Sequence, residues 1–352
     1  MKTTILTILA LLAMAGSNAQ TRHRVNNSGA TGPNVYSSIS NAQTAAVPND
    51  ILIVDHADLD YDSPIMTKKL TIYGPGYFLA ENLFLDSTQA DPRHARSPSI
   101  TFNAGSSGSI IQGMTLNDVI INTDNITISR CKIEGQVRIG ESGLVLNPNI
   151  NQNFIEGNEV FSVHIGNATN YVIANNLLRN DNPSNSNHIL KVDAGTGLVL
   201  NNIFFGEPKS QIKNASVQNN LFFHSVINEV TSTNITVDHN LSNELFLSDF
   251  YGGITNFNYS DQDYLPDSII CFSMNPSPDV KYRLETNTFT VAGGNPAVLG
   301  GADGKDMGMF GGALPYKPSG MPPIPSIWFY QVQSTGTQGG GVQVTVKAKS
   351  RT

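Results

Sequence analysis

The feature that most constrains this chain is a spaced repeat: an aliphatic residue, two variable positions, an Asn, one more variable position and a large apolar residue. It occurs at Ile150/Asn153/Ile155, Ile173/Asn176/Leu178, Val199/Asn202/Phe204 and Val217/Asn220/Phe222, with a degraded copy at Val237/Asn240/Ser242. Two earlier copies keep the apolar positions and replace the Asn, at Ile111/Met114/Leu116 and Ile128/Cys131/Ile133. The middle positions 114, 131, 153, 176, 202, 220 and 240 are separated by 17, 22, 23, 26, 18 and 20 residues. Such spacing is that of a solenoid whose units differ only in loop length.

Alternation inside the repeat says what each unit is made of. In Ile126-Thr127-Ile128 and Ile235-Thr236-Val237 the aliphatics share one face and Thr takes the other, the period-two pattern of a strand. Stacked units place such strands side by side about 4.8 Å apart. Asn suits the bends, because it tolerates left-handed backbone and its amide bonds to nearby main chain. Copies stacked at one position also bond to each other, and the ladder expected here is Asn153, Asn176, Asn202, Asn220 and Asn240. Asn occurs 38 times and charged residues make up only 14% of the chain, yet 39% apolar residues argue for a packed core rather than disorder. The expected fold class is all-β, a single-stranded right-handed parallel β-helix.

The ends of a solenoid must be covered, because an open edge invites further pairing. Tyr36 to Ala46 reads as a short helix with Ile39, Ala42 and Ala46 on one face, followed by a strand from Ile51 to Val54. With Lys69-Leu70-Thr71-Ile72-Tyr73-Gly74-Pro75-Gly76, this region closely resembles the opening of pectin-lyase-like β-helix proteins, which begin with a capping helix and a first coil. The Gly- and Asp-rich run from Gly301 to Gly312 is similar to the closing segment of many secreted bacterial β-helix proteins. The resemblance covers the chain from about Val35 to Gly312 and implies fold, not chemistry. Proteins of that fold include polysaccharide lyases, glycoside hydrolases, esterases, adhesins and phage spikes, so it points toward carbohydrate without choosing an activity.

Residues 1–19 read as a signal peptide: Lys2 supplies the positive start, Ile5 to Ala15 the apolar core, and Ser17-Asn18-Ala19 the cleavage site. The protein is therefore expected to be secreted, whether extracellular, periplasmic or on the cell surface. No other stretch approaches the roughly 20 apolar residues of a membrane span. Residues 20–312 form the expected β-helix domain. Residues 313–325, with Pro315, Pro318, Pro322, Pro323 and Pro325, read as an extended linker. Residues 326–352 read as a C-terminal hairpin built from Ile327 to Val332 and Val342 to Ala348. A lone hairpin is marginal in water, so it is expected to pack on the solenoid or dock elsewhere. A net charge of −7 gives no reason to expect nucleic acid as a partner. Cys131 and Cys271 are too few for a disulfide scaffold, and whether they pair is open.

Familiar catalytic sets are incomplete. Asn122-Thr123-Asp124 resembles the Asn-Thr-Asp motif of polygalacturonases, but the Asp-Asp, Gly-His-Gly and Arg-x-Lys that accompany it there are missing, so Asp124 reads as a turn. Val54-Asp55-His56 is similar to a short pectate lyase signature but falls on the first coil. Asp58, Asp60 and Asp62 read as a solvated acidic strand; a calcium loop of the EF-hand type would need Gly and Glu where Ser63 and Lys69 stand. No cofactor is expected and calcium has no motif behind it. Arg93 and Arg96 lie in a basic insertion of the kind that walls a substrate groove in this fold. Three strands share an apolar-basic-apolar pattern, Val137-Arg138-Ile139, Val163-His164-Ile165 and Leu190-Lys191-Val192. With the aliphatics inward, Arg138, His164 and Lys191 are expected to stack outward on successive coils, where like charges are tolerable if they splay into solvent or meet a polyanion. Two functions follow: a protein that binds or acts on an acidic polysaccharide, or a structural and adhesive solenoid. If it is an enzyme, the resemblance implies a polysaccharide lyase or glycoside hydrolase.

Overall fold

The aliphatic positions of the repeat line the space between two large parallel sheets in the computed structural model of the chain. It describes residues 20–82, 89–157, 160–182, 187–223, 225, 227, 231–242, 259–260, 277–279, 281, 297–336 and 340–350. The leader read at residues 1–19 and Cys271 lie outside the described residues. Among these residues the first sheet has twelve strands and the second thirteen. From Arg22–Val25 onward the first sheet is ordered Ile51–Val54, Thr71–Tyr73, Ile110–Gln112, Thr127–Ser129, Asn149–Asn151, Ala168–Ala174, Gly195–Leu200, Ala215–Gln218 and Thr236–Asp238. The second sheet forks at the long strand Thr115–Ile121, which pairs at its start with Lys132–Ile133 and at its end with Val137–Ile139. One lane then continues through Phe154–Gly157, Leu177–Asn180, Ile203–Phe205 and Leu221–Phe223; the other continues through Phe161–Ile165 and His188–Val192. The chain passes repeatedly from the first sheet to the second and back. That order is compatible with a parallel β-helix solenoid.

Register explains the repeat. Ile111, Ile128, Ile150, Ile173, Val199, Val217 and Val237 form one column, and Ile133, Ile155, Leu178, Phe204 and Phe222 another; all are buried. Phe204 and Phe222 stack with ring centroids 4.5 Å apart. Burying each such side chain contributes about 1.5–3 kcal/mol, so every unit depends on the next to cover it.

The Asn of the repeat is fully buried and bonds along the stack. Asn153 Nδ2 donates to Asn176 Oδ1 at 3.1 Å, Asn176 to Asn202 at 3.0 Å, Asn202 to Asn220 at 3.0 Å and Asn220 to Asn240 at 2.9 Å. Each also donates to a carbonyl of the preceding unit, and from Asn176 onward each Oδ1 accepts a second bond from a main-chain N–H, while Asn153 Oδ1 accepts from Cys131 N. The left-handed backbone is not at these residues but one position earlier, at Arg130, Gln152, Asn175, Asn201, Asn219 and His239, with φ between 50° and 59°. Bending and laddering are thus divided between neighbours. A second, exposed amide column runs through Asn125, Asn147 and Asn170 at another bend.

The helix near the start spans Ile39–Ala45, with Ser38 as its N-cap. Ile39, Ala42 and Ala46 are buried against the first unit. Asp62 accepts from the N–H groups of Ile39 and Ser40 at 2.8 and 3.0 Å, and Lys68 Nζ donates to the carbonyls of Gln43, Thr44 and Ala46 at the other end. A carboxylate at the N-terminus and an ammonium at the C-terminus both oppose the helix dipole.

The stretch read as a closing segment and linker does something different. From Ala297 to Met321 the chain returns along the outer face of the second sheet as a strap. Gly308 N donates to Asn219 O at 2.8 Å, Asn175 Nδ2 to Gly311 O at 2.7 Å, Gln152 Nε2 to Pro315 O at 2.6 Å and Arg130 Nη1 to Met321 O at 3.1 Å. Met307, Met309 and Tyr316 cover Phe154, Leu177, Ile203 and Leu221, which point away from the space between the two sheets and are nonetheless buried. Near its end Pro318 opens a short 3-10 turn, Pro318–Gly320. The hairpin follows as Ser326–Val332 and Val344–Lys349, beside the capped end, where Ala90 N donates to Ile327 O at 2.9 Å.

Candidate functional site

The second lane of the second sheet gathers three of the basic residues singled out in the sequence. Val137, Val163 and Leu190 pair in register, as do Ile139, Ile165 and Val192, and all six are buried. The residue between them must then face outward, which stacks Arg138, His164 and Lys191 on neighbouring strands. Below Arg138 the column continues with Ile120 and Thr101, so it is not basic throughout.

Two carboxylates interleave this column. Glu141 lies 3.3 Å from Arg138 Nη1 and 3.2 Å from His164 Nδ1, and Asp193 lies 2.8 Å from His164 Nε2 and 3.3 Å from Lys191 Nζ. Both follow their strands at the bend. Burial opposes ionisation of Asp193, but hydrogen bonds from His164 and Lys191 outweigh it and hold its carboxyl below the ordinary value. The Phe161 ring stacks on His164 at 4.6 Å between centroids and lies 5.2 Å beneath Lys191 Nζ. The arrangement offers basic side chains at the spacing of the strands, each already shared with an acid, beside one aromatic face.

Arg93 and Arg96 are not part of this column. Arg93 pairs with Asp58 at 2.7 Å and Asp91 at 2.6 Å. Arg96 sits on the strand Arg96–Phe102 rather than in the insertion, and begins a chain of alternating charges along the first lane. That chain runs Asp60, Arg96, Glu134, Lys132, Glu156, Arg179 and Asp181, with successive separations of 2.5, 3.1, 2.8, 3.6, 3.6 and 2.5 Å. Burial works against the Glu134 carboxylate, yet Lys132 and Arg96 keep its pKa below the usual value, so it stays ionised and is unsuited to donate a proton. A cavity of about 410 Å³ opens beside Glu156, Arg179 and Asp181.

The remaining candidates resolve into structural roles. Asp58, Asp60 and Asp62 form no strand and do not converge: they go to Arg93, Arg96 and the helix N-terminus. Asp124 Oδ1 accepts from Leu146 N at 2.8 Å across a bend, and Asn122 bonds to Asn103. Asp55 holds Arg24 and Asn26, while His56 Nδ1 lies 2.6 Å from Arg93 O. Cys131 occupies the ladder column as a buried free thiol, with burial pushing its pKa up to about 12.

Sequence reasoning missed the interleaved acids, although both stand two or three residues after a column cation: Glu141 after Arg138, Asp193 after Lys191. Among the described residues no group of three or more His, Cys, Asp or Glu side chains could hold a metal ion, and no helix is long and apolar enough to cross a membrane. No protein-family model matches the chain, and no curated protein sequence is significantly similar to it.

Proposed function

We propose that this is an exported right-handed parallel β-helix protein of the pectin-lyase-like type that binds an acidic polysaccharide along the second lane. The solenoid reading is supported by parallel pairing throughout both sheets, by the alternation of the chain between them, and by the right-handedness of nearly all parallel crossovers. Export rests on the leader at residues 1–19.

One observation carries the function: Arg138, His164 and Lys191 stand in register with the Phe161 ring between the last two. A polymer laid along the stack meets one basic side chain every 4.8 Å or so. Partly exposed ion pairs are worth about 0–1 kcal/mol each, so uronate carboxylates displace Glu141 and Asp193 at small cost. Successive contacts on one polymer then add as avidity. Binding rather than cleavage is favoured because Glu134 on the first lane and Asp193 on the second are held ionised by neighbouring basic side chains.

The test is titration with polygalacturonate, and with dextran as a neutral control, in low and high salt. Arg138→Ala/Lys191→Ala should weaken polyuronate binding about tenfold or more while leaving the fold intact, and salt should weaken wild-type binding. Unchanged affinity in the double variant ends the proposal. A second reading, a rigid structural shaft, is favoured by the pairing of every basic side chain of the column with an acid in place. It predicts no saturable polyuronate binding at all.

A further inference from the structure

The C-terminal hairpin has two unlike faces, because residues directly opposite each other in an antiparallel pair share a face. Ile327 stands opposite Ala348, Tyr330 opposite Val346 and Val332 opposite Val344, which makes one face wholly apolar. Phe329 opposite Lys347, Gln331 opposite Thr345 and Ser326 opposite Lys349 make the other. On the apolar face Ile327, Tyr330, Val332, Val344 and Val346 are between 50% and 61% exposed. Together they leave bare on the order of 500 Å², the size at which an apolar patch on a monomer is commonly functional. At its root Ile327 and Tyr330 border a cleft beside His56 and Asp91 that stays open, at about 350 Å³. A two-stranded sheet is marginal in water, and this one turns its apolar face to the solvent.

Charge says what covers that face. No Asp or Glu follows Asp306, whereas Lys317, Lys347, Lys349 and Arg351 do, so the tail is basic in a chain whose net charge is −7. Lys347 and Lys349 share the polar face, and Lys347 Nζ lies 5.2 Å over the Trp328 ring and 5.1 Å over that of Phe329. Trp328 itself stands in the register break between Ile327 and Phe329. Aliphatics on one side, lysines on the other and Trp and Tyr with them are the pattern of a segment that lies in a membrane interface. The apolar side enters the acyl boundary, the aromatic rings sit at the headgroup level, and the lysines meet anionic headgroups. A second copy is the poorer occupant, since pairing face to face brings two basic hairpins together with no acid in either.

We infer that the hairpin docks the protein on a lipid surface that carries anionic headgroups. The site uses none of the residues of the basic column and does not rest on the polyuronate proposal.

The experiment is flotation with vesicles of mixed phosphatidylglycerol and phosphatidylcholine, and with phosphatidylcholine alone. The protein from Gln20 onward is used, which keeps every strand, because the apolar run from Ile5 to Ala15 would itself seek lipid. Trp328 is the only Trp of the chain, so its emission reports on the hairpin directly. Wild type should float with the anionic vesicles, shift its Trp emission to the blue and be released by salt. Val332→Ser/Val346→Ser should abolish the blue shift. Lys347→Gln/Lys349→Gln, on the polar face, should weaken binding about tenfold or more, and it decides the matter even where the valine variant unfolds the hairpin. No flotation of wild type, an unshifted Trp328, or wild-type affinity in the lysine variant overturns the assignment. Sedimentation as a dimer without vesicle binding overturns it too and gives the face to a second copy.

Discussion

At the scale of single residues, the Asn-Asn doublets carry the most information. In Asn175-Asn176, Asn201-Asn202 and Asn219-Asn220 the first Asn takes the left-handed bend and faces the strap, while the second turns inward to the ladder. The repeat made the second role legible from spacing alone. It concealed the first, because tolerance of left-handed backbone and amide laddering belong to the same residue type and only the register separates them. Removing one rung tests the ladder. Asn176→Ala leaves Asn153 N without its partner in a dry interior and strips one bond each from Asn153 Nδ2 and the Ile150 carbonyl. The expected loss is about 3 kcal/mol or more, read as a lower urea midpoint. Cys131 offers a second check. With its thiol buried and its pKa pushed up to about 12, it should resist alkylation in the native protein and react only after unfolding. Rapid native labelling at position 131 contradicts its placement in the core.

At the scale of elements, consecutive apolar residues in the first lane were the unread signal. A strand with one solvated face alternates, whereas Leu177-Leu178, Ile203-Phe204 and Leu221-Phe222 do not, which is the pattern of a strand covered on both faces. The cover is the strap, whose own sequence reads as a linker because proline content reports extended backbone and not what lies beneath it. One latch fixes it. The fully buried Asp279 carboxylate accepts from Ser319 N at 2.7 Å, Tyr316 Oη at 3.1 Å and Asn82 Nδ2 at 2.8 Å, and Tyr77 bonds Tyr316 at 2.6 Å. Burial raises the Asp279 pKa despite these bonds. A raised folded pKa means the native state holds a proton that the unfolded chain has lost. Stability contributed by this group therefore falls as pH rises from the ordinary carboxylate value through the raised one. Asp193 and Glu134, both lowered, act with the opposite sign at more acid pH. Asp279→Asn should flatten the first slope, and Asn82, whose Oδ1 is unpartnered, can turn over to accept from the new amide. Urea midpoints across the acid range measure this, and identical slopes in wild type and variant refute it.

At the scale of the whole molecule, repeat spacing and two-residue alternation were enough to anticipate two stacked parallel sheets and a helical cap, because those features are periodic or local. The basic column was legible for the same reason. Its neutralisation was not, since Glu141 and Asp193 fall in bends of irregular length where no period applies. The strap also alters how the assembly comes apart. A bare solenoid frays unit by unit from either end, because each unit touches only its neighbours. Here one segment bonds to four of the left-handed positions, Arg130, Gln152, Asn175 and Asn219, so loosening any of those units must disturb the others through it.

The return of the strap also gives the molecule a polarity in space. Arg22–Val25, the capping helix and the C-terminal hairpin all gather at one pole, and the coils around Thr236–Asp238 lie toward the other. Anything that grips the hairpin holds the protein by its base. The charged lanes then run away from that base along the second sheet.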